Sequence, residues 1–351
     1  MKIENISLSG QEKLGIIGNL NTMLSAGIPL FEAVESIRED ATGNTKKFLE
    51  VMKDDLTAGN HVYTTLAKFP RTFDKVTVSV IKASEEAGTL ETALADLAKS
   101  IKKEMEFAGK IKSAMVYPML IVTVFFGVLT IILVVVIPKI SQVFSRLNMQ
   151  LPLPTRVLIF LSNTLTKNPL PVLGGIFLTM GLVIYLFKQQ RGLILPIIFK
   201  LPLVSRLIKE IDLTRFSRNL YLLLTAGIPI GTALELSKDV VMRRKTRDLI
   251  ENCRQMVITG RKFSEGLRGS KKEIPAIVIK LIDVGEKSGS LPKALYDISE
   301  FLDYQVTETL KTLTVLLEPI MLVFVGIAVG AMMLAIIAPI YGLIGQVGNV
   351  R

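Results

Sequence analysis

The chain of 351 residues contains one Cys, one His and no Trp. A lone Cys253 forms no internal disulfide, which excludes an oxidised, stapled ectodomain and fits a reducing compartment. With His61 as the single imidazole, neither a zinc cluster nor a histidine-based catalytic triad can be assembled from the usual residue types. Phosphate-binding loops of the G-x-x-x-x-G-K-[ST] type are absent, as are G-x-S-x-G, H-E-x-x-H and dinucleotide fingerprints. Most enzyme readings weaken here, and the chain is expected to hold no cofactor and to hydrolyse no nucleotide itself. At the N-terminus, MKIENISLSGQEKL carries charges and no apolar core, so neither a cleavable signal peptide nor an anchor is expected there.

Apolar residues make up half of the chain and mean hydropathy is +0.47, yet 21% of residues are charged. The two kinds must be segregated along the sequence. A bilayer core of about 30 Å needs roughly 20 apolar helical residues, and three stretches qualify. Residues 113–138 carry no charge, residues 169–187 contain Gly174, Gly175 and Gly181 between Lys167 and Lys188, and residues 313–343 carry Glu318 as their single ionisable group. Gly326 and Gly330 give the third stretch a small-xxx-small spacing that suits close helix packing. Lys99, Lys102, Lys103, Lys110 and Lys112 precede the first stretch, and Lys188, Arg191, Lys200 and Arg206 follow the second, so both flanks read as cytoplasmic. The segment 139–168 also holds four basic residues, which blunts the asymmetry.

A direct repeat organises the polar parts. LNTMLSAGIPLFEAVESIRED from Leu20 recurs as LYLLLTAGIPIGTALELSKDV from Leu220, and SEEAGTLETALAD from Ser84 recurs as GEKSGSLPKALYD from Gly285. The offset grows from 200 to 201 between these anchors, as in a duplicated domain, and Pro118 and Pro138 match Pro319 and Pro339. The division expected is a first cytoplasmic helical domain (1–112), a span (113–138), a short extracytoplasmic connector (139–168), a return span (169–187), a second helical domain (188–312), and a third span (313–343) with a tail to 351. If both polar domains lie in the cytosol and each leads outward through a span, one return crossing is required. The expected class is an all-α membrane protein with two repeated six-helix bundles and three transmembrane helices.

Local signals support helices throughout. Ser9 with Glu12 makes a capping box, Gly27 and Gly227 end one helix, and Pro29 and Pro229 open the next at its first position. Gly88 and Gly289 end another. Backbone roles suffice for these glycines and prolines and are preferred to the alternative, that the AGIP and E-x-x-G-x-L elements contact a partner. Glu85 and Glu286 stand near a helix C-terminus, where a carboxylate opposes the macrodipole, so something must compensate. An internal salt bridge is the first expectation, ahead of a basic partner or a bound cation. The helix after that loop reads as a rod entering the membrane, with Pro118 able to kink it. Glu318 lies a turn inside its span, either paired in the interior or at headgroup level like its counterpart Tyr117. The basic run from Met242 to Arg247 lacks aromatics, so anionic lipid or an acidic protein surface suits it better than nucleic acid.

Taken together, these duplicated motifs resemble the inner-membrane platform proteins of type II secretion and type IV pilus systems, from about Gln11 to Gly345. The short N-terminus resembles that of type IVb pilus or competence members. The resemblance implies a homo-oligomeric scaffold in the bacterial inner membrane, with its C-terminus extracytoplasmic. Implied partners are a cytoplasmic assembly ATPase, pilins or pseudopilins, and other inner-membrane assembly proteins. It points to Glu85, Glu86, Gly88, Glu286, Lys287 and Gly289 as partner contacts, and to Gly326 and Gly330 as places where an apolar pilin helix could pack. A small-solute or ion transporter is the alternative, weakened because Glu318 is the single intramembrane acid.

Overall fold

The computed structural model describes residues 6–146, 153–167, 202–269 and 273–348. All regular structure among them is helical. In the first part, α1 (Gly10–Ser25), α2 (Leu30–Asp40), α3 (Gly43–Thr57), α4 (Val62–Ala67) and α5 (Lys75–Glu86) precede the long α6 (Leu90–Ile131). A π-helical turn at Ile132–Val136 leads to α7 (Ile137–Arg146), followed by α8 (Leu153–Lys167). The last part comprises α9 (Pro202–Thr225), α10 (Ile230–Lys238), α11 (Arg244–Ile258), α12 (Phe263–Arg268), α13 (Ala276–Lys287) and α14 (Leu291–Gly348). The expected return span at 169–187 lies outside the described residues.

The chain divides into two compact units, one of residues 1–111 with 203–309, the other of 112–202 with 310–351. In the first unit, α1 starts at the capping box: Ser9 N–H donates to Glu12 Oε2 at 2.7 Å and Glu12 N–H donates to Ser9 Oγ at 3.2 Å. The helices bury one stripe each. Ile16, Ile17 and Leu20 of α1 share a buried core with Phe48, Leu49 and Met52 of α3, and Phe69 stands edge-on to Phe48 at 5.0 Å. Leu220 and Leu223, Phe216 against Phe263 at 6.4 Å, and Cys253 fill the corresponding places in the later segment. Each such fully buried apolar side chain contributes about 2 kcal/mol. Burial pushes the Cys253 thiol up to about 12.

The AGIP elements form Schellman ends. Gly27 has φ +78°, its N–H donates to Leu24 O, and Ile28 N–H reaches back to Met23 O at 3.0 Å. Gly227 (φ +80°) repeats this with Leu224 and Leu223. Pro29 and Pro229 occupy the cap position, one residue earlier than expected, so their carbonyls accept from Ala33 and Ala233.

In the second unit the prolines dictate the helix geometry. A proline cannot donate to the carbonyl four residues before it. Pro138 would leave Val134 without its donor, and there the helix widens into the π turn, with Ile137 N–H donating to Ile132 O. Pro118 is held inside α6 and Pro319 inside α14, without ending either helix. Helices α6 and α14 are each long and apolar enough to cross a membrane.

Candidate functional site

The duplicated loops after α5 and α13 are built around their carboxylates. Gly88 (φ +71°) and Gly289 (φ +70°) adopt the left-handed conformation that closes the preceding helix, and a built side chain there would meet open space. Thr89 N–H then donates to Ser84 O at 2.8 Å, and Ser290 N–H to Gly285 O at 2.9 Å. Glu85 does not lie along its own helix terminus. It turns to the start of α4, where Oε1 accepts from Val62 N–H at 3.0 Å and Oε2 from Tyr63 N–H at 3.3 Å. Glu286 does the same at α12, accepting from Phe263 N–H at 2.7 Å, Ser264 N–H at 3.1 Å and Ser264 Oγ at 2.7 Å.

Both acids are thus tertiary caps of a six-residue helix, pairing a negative charge with its positive N-terminal end. The first expectation, an internal salt bridge, gives way at Glu286 to backbone and hydroxyl donors, whereas at Glu85 an imidazole joins the backbone donors. His61 Nδ1 lies 3.3 Å from Glu85 Oε1, on an exposed ring stacked upon Tyr63 at 5.4 Å. The neighbouring Glu86, Gly88, Lys287 and Gly289 are exposed, whereas Glu85 and Glu286 are half-buried.

Two further acids start α11 and hold α4. Asp212 is fully buried and accepts from Met242 N–H and Arg243 N–H at 2.8 Å each, burial pushing its carboxyl above the ordinary range. Asp55 is bound by Lys68 Nζ at 2.6 and 2.7 Å and by Thr65 Oγ1 at 2.7 Å. Burial raises the Asp55 carboxyl, but those bonds and the Lys68 charge outweigh it and leave it below the usual value. Asp55 is buried, because α3 turns it towards Thr65 and Lys68 at α4.

No local sequence signal reveals how the early and late segments of this unit meet. Lys99 Nζ donates to Tyr296 Oη at 2.6 Å and lies 4.5 Å from that ring, Lys103 pairs with Glu300, and Lys110 Nζ donates to Thr307 Oγ1 at 3.1 Å. All three pairs are 197 residues apart, so α6 and the start of α14 run side by side and parallel. Tyr221 donates to Asp96 at 3.2 Å, and Arg215 pairs with Glu104 at 3.4 Å. A cavity of about 590 Å³ opens among these helices, lined by Leu97, Ile101 and Phe107 with Lys13, Arg71 and Arg218. Among the described residues no cluster of His, Cys, Asp or Glu could hold a metal ion.

In the second unit, Phe125 of α6 meets Phe324 of α14 edge-on at 5.9 Å. Glu318 is exposed, as is Tyr117. Gly326 and Gly330 are exposed, with open space at the position of an added Cβ.

The type II secretion system protein F profile matches the chain twice, over residues 16–138 and 216–339. These two matches start 200 residues apart and end 201 apart, the same offsets as the repeat. The chain is 31% identical over 334 residues to the type IV pilus assembly protein PilC of Thermus thermophilus, covering 93% of this chain and 81% of that one. PilC of Pseudomonas aeruginosa is 28% identical over 337 residues, covering 94% and 88%. The type II secretion system protein F of the same organism is 27% identical over 344 residues, covering 97% and 85%.

Proposed function

Since the chain belongs to the type II secretion system protein F family, we propose that it is the inner-membrane platform of a type IV pilus or type II secretion machine. In this reading it is a scaffold without catalysis of its own. It couples a cytoplasmic assembly ATPase to the insertion of pilins or pseudopilins, together with other inner-membrane assembly proteins and further copies of itself.

The observation that carries this reading is the pair α6 and α14. Each follows one of the duplicated loops and continues without a break from charged into apolar residues, and their charged parts run parallel. Two parallel helices of this kind leave the same membrane face in the same direction, so the chain between them has to cross back. In this reading the chain has three spans, two repeated helical domains on the cytoplasmic side and an extracytoplasmic C-terminus. A transporter is disfavoured, because Glu318 is exposed near one end of its apolar stretch and offers no mid-membrane site.

Within the duplicated loops, Glu86, Gly88, Lys287 and Gly289 are the partner contacts that the geometry favours, being exposed and free of the capping role. Charge reversal by Glu86→Lys or Lys287→Glu is expected to weaken co-purification of the ATPase while membrane insertion is unchanged. Full binding by the double variant would remove both loops from the interface. Topology is tested by single cysteines at positions 86, 287 and 163 in spheroplasts treated with an impermeant maleimide. Labelling confined to position 163 is expected, and labelling at 287 would overturn the arrangement.

A further inference from the structure

The segment between the first and second apolar stretches contains a helix whose outer face has no polar explanation. Helix α8 packs against the π turn and α7, with Thr155 and Ser162 of one face buried. Thr155 Oγ–H donates to Ala335 O at 2.6 Å. That carbonyl is the one left without its helical donor by the proline at 339, so the threonine replaces a missing N–H and fixes α8 to α14. The opposite face exposes Val157, Phe160 and Leu161, with Phe160 at 70%. The π turn of the same unit exposes Val134 to Val136, and α14 exposes Met333 and Leu334.

Depth follows from helix rise. Leu133 and Ile137, buried where the π turn lies beside α8, are 18 and 22 residues beyond Met115, or about 27 and 33 Å along the axis. That brackets the far boundary of a hydrocarbon core of about 30 Å. Residues 157–166 contain no ionisable side chain, and Arg156 and Lys167 stand at the two ends. Fifteen residues are too few to span. Two hydroxyls of α8 are turned onto its own backbone, Thr164 to Phe160 O at 2.7 Å and Thr166 to Ser162 O, as suits a helix with little water around it.

We infer that α8 is an interfacial helix of the far leaflet, held on α14 by Thr155 and inserting Val157, Phe160 and Leu161 among lipid acyl chains. The inference rests on the membrane reading above. The chain has no native Trp, so Phe160→Trp is a single reporter. The full-length variant is reconstituted into phosphatidylcholine vesicles carrying bromine at shallow or deep acyl positions. Emission is expected to be blue-shifted and quenched to roughly half, more by shallow than by deep bromine.

Phe126→Trp, on the exposed side of α6, serves as the mid-membrane control, and Val157→Trp replaces Phe160→Trp if that variant fails to fold. Water-like, unquenched emission at 160 with quenching at 126 overturns the placement of α8 and leaves the membrane reading standing. Blue-shifted but unquenched emission at 160 also overturns it, since protein then covers that face. An unquenched signal at 126 removes the membrane reading itself.

Discussion

Replacing Glu85 by Ala leaves two backbone donors at the start of α4, Val62 N–H and Tyr63 N–H, without their acceptor. Helix α4 has only six residues and holds Val62, Thr65 and Leu66 in the core, so it has little intrinsic stability to offset the loss. A cap substitution costs about 1 kcal/mol and loss of the charge at a helix N-terminus up to about 1 kcal/mol more. The side chain is 15% exposed, so water reaches the vacated amides only in part. A local destabilisation of about 2 kcal/mol corresponds to roughly thirty-fold faster hydrogen exchange at those amides. Exchange measured on the full chain in detergent checks this, with Glu86→Ala as the exposed neighbour. Equal protection at positions 62 and 63 in the two variants would refute the capping argument. The same reasoning makes Glu85 and Glu286 poor interface probes, since their reversal disturbs the fold and the partner surface together.

Lys68→Met leaves Asp55 buried without its cation and is expected to cost about 2 kcal/mol at neutral pH. In the unchanged protein the lowered Asp55 carboxyl contributes stability above its unfolded value near 4, lost as pH falls through the folded value. With Lys68 gone, the bonds from Thr65 and Asn60 alone oppose the burial, so the loss of stability as pH falls should shrink in the variant, which acid-dependent denaturation reads directly. Thr155→Val should cost about 1 kcal/mol in detergent unfolding, and less when Pro339→Ala restores the backbone donor to Ala335 O. Additive losses in that double-mutant cycle would contradict the substitution of hydroxyl for N–H. Cys253, buried and raised to about 12, should resist alkylation until the chain is denatured, which maleimide mass labelling checks.

What the sequence made legible were features whose cause is local. The Ser9 and Glu12 capping box and the AGIP turns depend on residues within six positions of each other, and the structure contains both. Two long apolar helices were legible from run length alone. The compensation of Glu85 was not, because its partner is a backbone group 22 or 23 residues away, and backbone donors carry no residue type to read. Helix α8 escaped for a different reason. Its apolar run is too short to register as a span and too close to proline-rich flanks to register as a domain.

The pairing of α6 with α14 explains why a clear repeat did not reveal how its copies meet. Corresponding positions are 201 residues apart in this region, yet the contacts of Lys99, Lys103 and Lys110 are 197 apart. Four residues is one helical turn, about 6 Å of axial shift. Each copy therefore meets the other through a different surface, as in a heterologous rather than a two-fold contact. The side chains have diverged to suit. The counterpart of Lys99 is Glu300, and it is Glu300 that receives Lys103. Had both copies kept lysine at that position, the one-turn stagger would set Lys103 against a like charge, which is unfavourable at such separation. Opposite charges at equivalent positions are thus what the staggered pairing requires. Reversing Glu300 alone should loosen α14 from α6, whereas exchanging the charges of Lys103 and Glu300 together should restore the contact.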